Sequence, residues 1–284
     1  MFKQVFKIRY NGGVTVEIGK VDKNLASVGI GSEKIDWYNV KEKNISLHGA
    51  FFDENEGLYM RVPDAVAKSV NPEIDMLNRI TAGARARLVT DSSFIAIKAS
   101  LPAFMPMPHM SITGSHGFSV YANGSFSARY SPSFNDFPKN ISNPYKEKVI
   151  FAEKKAVDGV NKGKNLIEIY FPLYGGVSEL FIGVEPGSLV EKAPPYKYTR
   201  PLVFYGSSVT QGACVSRPGN DYVSIIARRL DADFINLGFS GNGNAEDRMI
   251  EYINTIDAGL FAFDYNYYPT AKGRVLPPHF SIYE

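Results

Sequence analysis

The feature that most constrains this chain is a change of pattern at Lys192-Ala193-Pro194-Pro195-Tyr196-Lys197-Tyr198-Thr199-Arg200-Pro201. Proline fixes φ and removes an N–H donor, so this stretch stays extended and no helix can run through it. Before it, apolar residues recur with period two in short runs, the pattern of strands half-buried on one face of an antiparallel sheet. After it, short continuous apolar runs alternate with helical spacing, the pattern of a parallel sheet with crossover helices. A length of 284 residues accommodates two such units. We expect a β-sandwich domain over 1–191 and an α/β domain over 192–284.

In the first unit, Thr90-Asp91-Ser92-Ser93 reads as a turn before a strand carrying Phe94, Ile95 and Ile97. Phe118–Tyr121 and Phe126–Tyr130 flank Ala122-Asn123-Gly124-Ser125, and Asn-Gly tolerates the positive φ of a tight hairpin. Leu166–Tyr170 and Leu180–Val184 add two strands. Short strands separated by such turns predict two packed antiparallel sheets, a jelly-roll-like sandwich. Asp64–Arg79 is the one segment there that reads as helical.

In the second unit, Leu202–Tyr205, Phe234–Leu237 and Leu260–Phe263 read as buried strands. Asp221–Leu230, with Val223, Ile226, Ala227 and Leu230, is the first helix; Ala245, Met249, Ile253 and Ile256 mark a second. This β-α-β-α-β order predicts the start of a doubly wound, flavodoxin-like parallel sheet. Loops leaving the carboxyl ends of parallel strands share one edge, where ligands bind. Here they are Gly206-Ser207-Ser208-Val209-Thr210-Gln211-Gly212, Gly238-Phe239-Ser240-Gly241-Asn242-Gly243 and Asp264-Tyr265-Asn266. A serine on a tight turn above a sheet, beside backbone N–H groups and an amide side chain, points to acyl transfer.

The blocks YGSSVTQGACVSRPG and FINLGFSGNG resemble the first two of the SGNH (GDSL-type) hydrolases, in the bacterial subgroup with an N-terminal sandwich domain. RLVTDSSFIAIK, HMSITGSHGFSVY and FPLYGGVSELFIGV resemble that sandwich domain, so the likeness covers most of the chain. The resemblance implies Ser208 as nucleophile, with Ser207 replacing the commoner aspartate. It implies an oxyanion hole from the Ser208 N–H, Gly241 and a third-block asparagine. FDYNYYPT matches that third block loosely, and Asn266 is the nearest candidate. The substrate class implied is a small acyl ester, such as an acetylated carbohydrate.

The family's last block, an aspartate and a histidine three residues apart, has no counterpart. His279 follows Leu276 at that spacing, and fewer residues remain after Asp264 than the roughly 30 of another βαβ unit. The expectation is a truncated relative whose Ser208 lacks a base, a loss that can cost on the order of 10⁶ in kcat. The alternative is a non-catalytic carbohydrate-binding or interaction module. A dinucleotide site fits less well, because neither glycine-rich loop reads G-x-G-x-x-G. An incomplete sheet would expose a strand edge and favour self-association.

Other residues have plainer readings. Gly241 suits a turn, Asn266 a strand end and Asp264 an N-cap or turn. His109 and His116 read as loop or core residues, Cys214 as a small buried hydrophobe. The aromatics are mostly core, although exposed ones could stack on sugar rings. One cysteine excludes an internal disulfide, and with four histidines argues against a zinc site or other metal or cofactor. Lys+Arg 31 against Asp+Glu 29 leaves no nucleic-acid footprint. No secretory leader or membrane span is legible, so a cytoplasmic protein is expected and the N-x-S triplets at Asn44, Asn123 and Asn140 read as chance.

Overall fold

The structure, a computed structural model, describes residues 34–264 apart from 103, 105, 139–142, 144–146 and 161–162. It also describes the backbone of two antiparallel strands, β1 (Lys7–Arg9) and β2 (Thr15–Glu17). Asn140, Asn266, Leu276 and His279 lie outside the described residues.

Twelve strands follow before the proline stretch: β3 (Asp36–Asn39), β4 (Ser46–His48), β5 (Phe51–Asp53), β6 (Leu58–Met60), β7 (Arg85–Thr90), β8 (Phe94–Pro102), β9 (Phe118–Ala122), β10 (Ser125–Tyr130), β11 (Lys148–Ala156), β12 (Asn165–Tyr170), β13 (Glu179–Val184) and β14 (Val190–Lys192). One antiparallel sheet has the order β10-β9-β12-β7-β14, with β4 also paired to β7; the other runs β11-β8-β13-β3. Ile95, Ile97, Ala99 and Leu101 of β8 alternate inward and meet Leu88, Val120, Ile167 and Ile169 of the facing sheet in one core. At the β9–β10 hairpin Asn123 and Gly124 have φ of 51° and 81°, the left-handed pair the Asn-Gly signal requires.

The helical segment 64–79 is two helices, Asp64–Val70 and Pro72–Asn78. Asn71 is extended and its side chain caps the second by accepting from Ile74 N at 2.7 Å, while Pro72 takes a first-turn position that has no N–H to satisfy. A further helix, Ile112–His116, was not legible in the sequence: it is one turn long, too short for periodicity, and held by Ser111, whose hydroxyl accepts from Gly114 N at 3.0 Å.

Beyond the prolines, β15 (Tyr198–Gly206), β16 (Ala232–Gly238) and β17 (Leu260–Asp264) form a parallel sheet of order β16-β15-β17. The first crossover helix, Tyr222–Leu230, starts at Asp221, which caps Ser224 N at 2.9 Å. The second spans Asp247–Ile253 only. Ala245 has φ of 58°, which breaks the helix start expected there. Alternation along β15 serves two faces. Val203 and Tyr205 pack against Met249 and Ile253 and also against Val62, Ala67, Ile74 and Leu77 of the first half. Leu202 and Phe204 pack against Val223 and Ala227, and against Tyr121 and Tyr170 of the sandwich. The two halves therefore share cores.

They also share an edge. β16 ends the parallel sheet, and carbonyls on its outer side need donors. Arg85 Nη1 donates to Phe234 O at 3.1 Å, and Arg61 Nη1 donates to Asn236 O at 3.3 Å and Gly238 O at 2.5 Å, following the period-two rise of the strand. Arginines from the first half thus close the outer edge of β16. Arg85 Nη2 also pairs with Asp233, whose other oxygen lies 2.9 Å from His48 Nδ1. Burial works to raise the Asp233 carboxyl, but the His48 hydrogen bond and the Arg85 charge outweigh it and hold the pKa below the ordinary value.

Among the described residues no helix is long and apolar enough to cross a membrane, and no group of three His, Cys, Asp or Glu side chains could hold a metal. A carboxyl with a depressed folded pKa adds stability above its unfolded value near 3.9 and loses it as pH falls through the folded value. Asp233→Asn leaves the buried Arg85 without its counter-charge, so urea denaturation at pH 7 should show a loss of about 2–3 kcal/mol. The variant should also lose less stability than the wild type on acidification below about pH 4.

Candidate active site

The first and second loops meet at the carboxyl edge of the parallel sheet. Ser208 opens a one-turn helix, Ser208–Gln211, that ends at Gly212 in the left-handed conformation (φ 104°). As the first helical residue, Ser208 has an N–H with no intrahelical acceptor. Its side chain is half-buried, and among the described residues its hydroxyl has no hydrogen-bond partner. Its carbonyl is held instead, accepting from Gly212 N at 3.0 Å and Ala213 N at 2.8 Å.

The second loop is pinned at successive residues. Phe239 N donates to Gly206 O at 2.9 Å, Ser240 N to Gln211 Oε1 at 2.8 Å and Asn242 N to Phe239 O at 2.8 Å. Gly241 has φ of 77°, is exposed, and has an N–H with no acceptor among the described residues. Among the described residues Gly241 and Gly243 are the two residues of this loop whose N–H groups have no acceptor. Close approach requires small residues on both sides: a Cβ on Gly238 would fall 2.1 Å from Gln211 N, and one on Gly243 2.1 Å from Gly206 O. A Cβ on Gly241 would meet open space.

Gln211 joins three segments, because its Nε2 also donates to Leu173 O at 3.1 Å. Asn236 supports the same junction: its Nδ2 donates to Thr210 O and its Oδ1 accepts from Gly238 N, both at 2.8 Å. Tyr174, from the sandwich loop, donates to Ser208 O at 3.4 Å. Burial pushes its phenol pKa up, against a Ser240 hydrogen bond and the Arg61 charge that lower it. Asp264 accepts from Thr210 Oγ1 at 3.1 Å, and that oxygen lies 2.9 Å from Tyr222 Oη. Asp264 thus braces the end of β17 against the first loop.

The structure therefore brings Ser208 and Gly241 into one stitched edge, while Asn266 is outside the described residues. Sequence reading missed Arg61, Tyr174, Gln211 and Asn236. The signal for Gln211 lay in the first block itself; Arg61 and Tyr174 reach the site from the other half of the chain, which no local spacing reveals. Cys214, expected to be buried, is exposed with φ of 60°. His109 lies on an exposed loop. His116 is a core residue, its Nδ1 2.9 Å from Ser115 Oγ and its ring edge-on to Phe137.

No curated protein sequence matches the chain. Family models do: residues 35–190 match the GxDLY family, described as the N-terminus of SGNH-hydrolase-type esterases, and residues 199–271 match the GDSL-like lipase/acylhydrolase family. Among solved structures, a Bacteroides ovatus protein assigned as a GDSL-like lipase is 27% identical with a TM-score of 0.67, the match covering 80% of this chain and 63% of that one. The salicylyl-acyltransferase SsfX3 of a tetracycline biosynthetic pathway is 19% identical with a TM-score of 0.59, the match covering 80% and 60%. The chain spans less than two thirds of the length of either.

Two outcomes check this geometry by denaturation. Gly241→Ala should cost only the left-handed strain of about 1–2 kcal/mol. Gly243→Ala adds a backbone clash and should cost on the order of 3 kcal/mol or more. Burial lowers the His116 imidazole from 6.5 to about 4, against a Phe104 backbone contact that raises it. That contribution to stability is complete above the unfolded value and is lost as pH falls from 6.5 through about 4. Replacing the imidazole, as in His116→Gln, should flatten the pH dependence over that window by up to about 1.4 kcal/mol per pH unit.

Proposed function

Because this chain belongs to the SGNH (GDSL-like) hydrolases, with the N-terminal domain that models of their esterases describe, we propose that it is an esterase of small acyl esters with Ser208 as nucleophile. The observation that carries the proposal is that, among the described residues, the Ser208 N–H, the Ser208 hydroxyl and the Gly241 N–H have no hydrogen-bond partner, on two loops tied together by Gln211. Preorganised donors at such a position stabilise charge that develops only in the transition state, each worth about 10²–10³ in rate.

On this reading Ser208 Oγ attacks the acyl carbon and its proton passes to a base outside the described residues. The carbonyl oxygen, now an oxyanion, is held by the two N–H groups and by Asn266. Collapse expels the alcohol with a proton, and water then attacks the acyl-enzyme, releasing the acid and restoring Ser208. Among the described residues Ser208 is half-buried and Gly241 exposed, which leaves this edge open to solvent. On this reading the substrate is an acetylated carbohydrate and the protein is cytoplasmic.

Hydrolysis of p-nitrophenyl acetate and of a peracetylated sugar by the folded wild type and Ser208→Ala tests the proposal. Turnover should fall at least 10³-fold in the variant, and a serine-directed phosphonate should label only the wild type. Equal background rates with no labelling in two folded proteins would overturn it.

A further inference from the structure

Arg61 follows β6 in the first half of the chain, and its side chain is 3% exposed. The three other buried arginines face carboxylates: Arg79 with Asp75 at 2.6 Å, Arg85 with Asp233, and Arg87 with Glu168 at 3.2 Å. Arg61 faces none among the described residues. Its partners are carbonyl oxygens: Nη1 donates to Gly238 and Asn236, and Nη2 to Leu77 O at 2.8 Å, while Nε has no partner. Its guanidinium lies 4.3 Å from the centre of the Phe239 ring. Burial lowers its pKa to about 9, against an opposing Tyr174 contribution, so it stays charged at neutral pH.

An ionised group buried without a counter-charge lowers stability unless its hydrogen bonds repay the loss of hydration. Stability alone does not select an arginine here, because a neutral donor could serve those carbonyls. What the guanidinium touches is specific: the last two outward carbonyls of β16 and the first ring of the turn that ends in Gly241. The anchor is itself held from outside the turn. Asn78 Oδ1 accepts from Arg61 N at 3.1 Å and from Val62 N at 2.9 Å, and Asn71 Nδ2 donates to Asn242 Oδ1 at 3.2 Å. The segment 61–78 therefore grips the second loop at both ends, at Gly238 and at Asn242.

We propose that Arg61 is a positioning residue for the oxyanion turn: its buried guanidinium fixes Gly238 and Phe239 so that the Gly241 N–H is aimed beside Ser208. The inference rests on the esterase reading for its catalytic consequence, but not for its structural one. Misplacing a donor by about 1 Å weakens transition-state stabilisation far more than substrate binding.

The test uses the full chain as wild type, Arg61→Lys and Arg61→Met, with amide hydrogen exchange beside p-nitrophenyl acetate kinetics. Lys keeps a charge and is the variant that stays folded if Met does not. In both variants exchange at Phe239 and Ser240 should quicken at least tenfold while the β8 and β12 amides stay protected. kcat should fall about 10- to 100-fold with KM within twofold, and Lys should retain more activity than Met. Unchanged exchange in the turn of a folded variant would overturn the proposal, as would wild-type kcat in that variant. An inert wild type with quickened turn exchange in the variants would support the positioning and reject only the esterase reading.

Discussion

An edge strand carries a row of carbonyls that no neighbouring strand can satisfy, and in β16 that row is Phe234, Asn236 and Gly238. Two arginines, Arg85 and Arg61, supply the donors. Buried backbone acceptors without partners cost free energy comparable to a lost hydrogen bond each, so the parallel sheet depends on side chains from the other half of the chain. The dependence is mutual, because the same contacts bring buried positive charge to the sandwich, where Asp233 neutralises Arg85. The sandwich is thus the outer wall of the sheet along β16.

This coupling explains why the site sits where the two halves meet. The turn that bears Ser208 and the turn that bears Gly241 bond to each other through Gln211 and Gly206, and to the sandwich through Leu173, Tyr174 and Arg61. Each turn is short and glycine-rich, which allows close approach but supplies little packing of its own. Order comes from hydrogen bonds arriving from outside. Among the described residues the Ser208 and Gly241 N–H groups have no acceptor while their neighbours are bonded, the arrangement that the proposed electrostatic preorganisation needs.

Much of the fold was legible locally. Period-two runs, Asn123-Gly124 and the continuous apolar runs of β15, β16 and β17 act within a few residues, and the structure keeps them. The failures were of two kinds. Ile112–His116 is too short to show a helical period, and the second crossover helix starts late because Ala245 adopts a left-handed conformation that no propensity announces. Arg61, Arg85 and Arg87 drew no reading from the sequence, since burying an arginine makes sense only beside partners distant in sequence. Cys214 was misread for the converse reason: among the described residues none covers it.

By itself the sequence determined the two grammars, the boundary between them, the strand-end loops and, through the blocks around Ser208 and Gly241, the family. These are matters of neighbouring residues, where φ preference and hydrophobic period act at short range. Only the tertiary structure decided that the halves share cores, that arginines close the β16 edge and that a sandwich residue holds the turn carrying Gly241. The physical reason is distance along the chain. Arg61 and Gly238 are 177 residues apart, and a hydrogen bond between them exists only after the whole chain has packed.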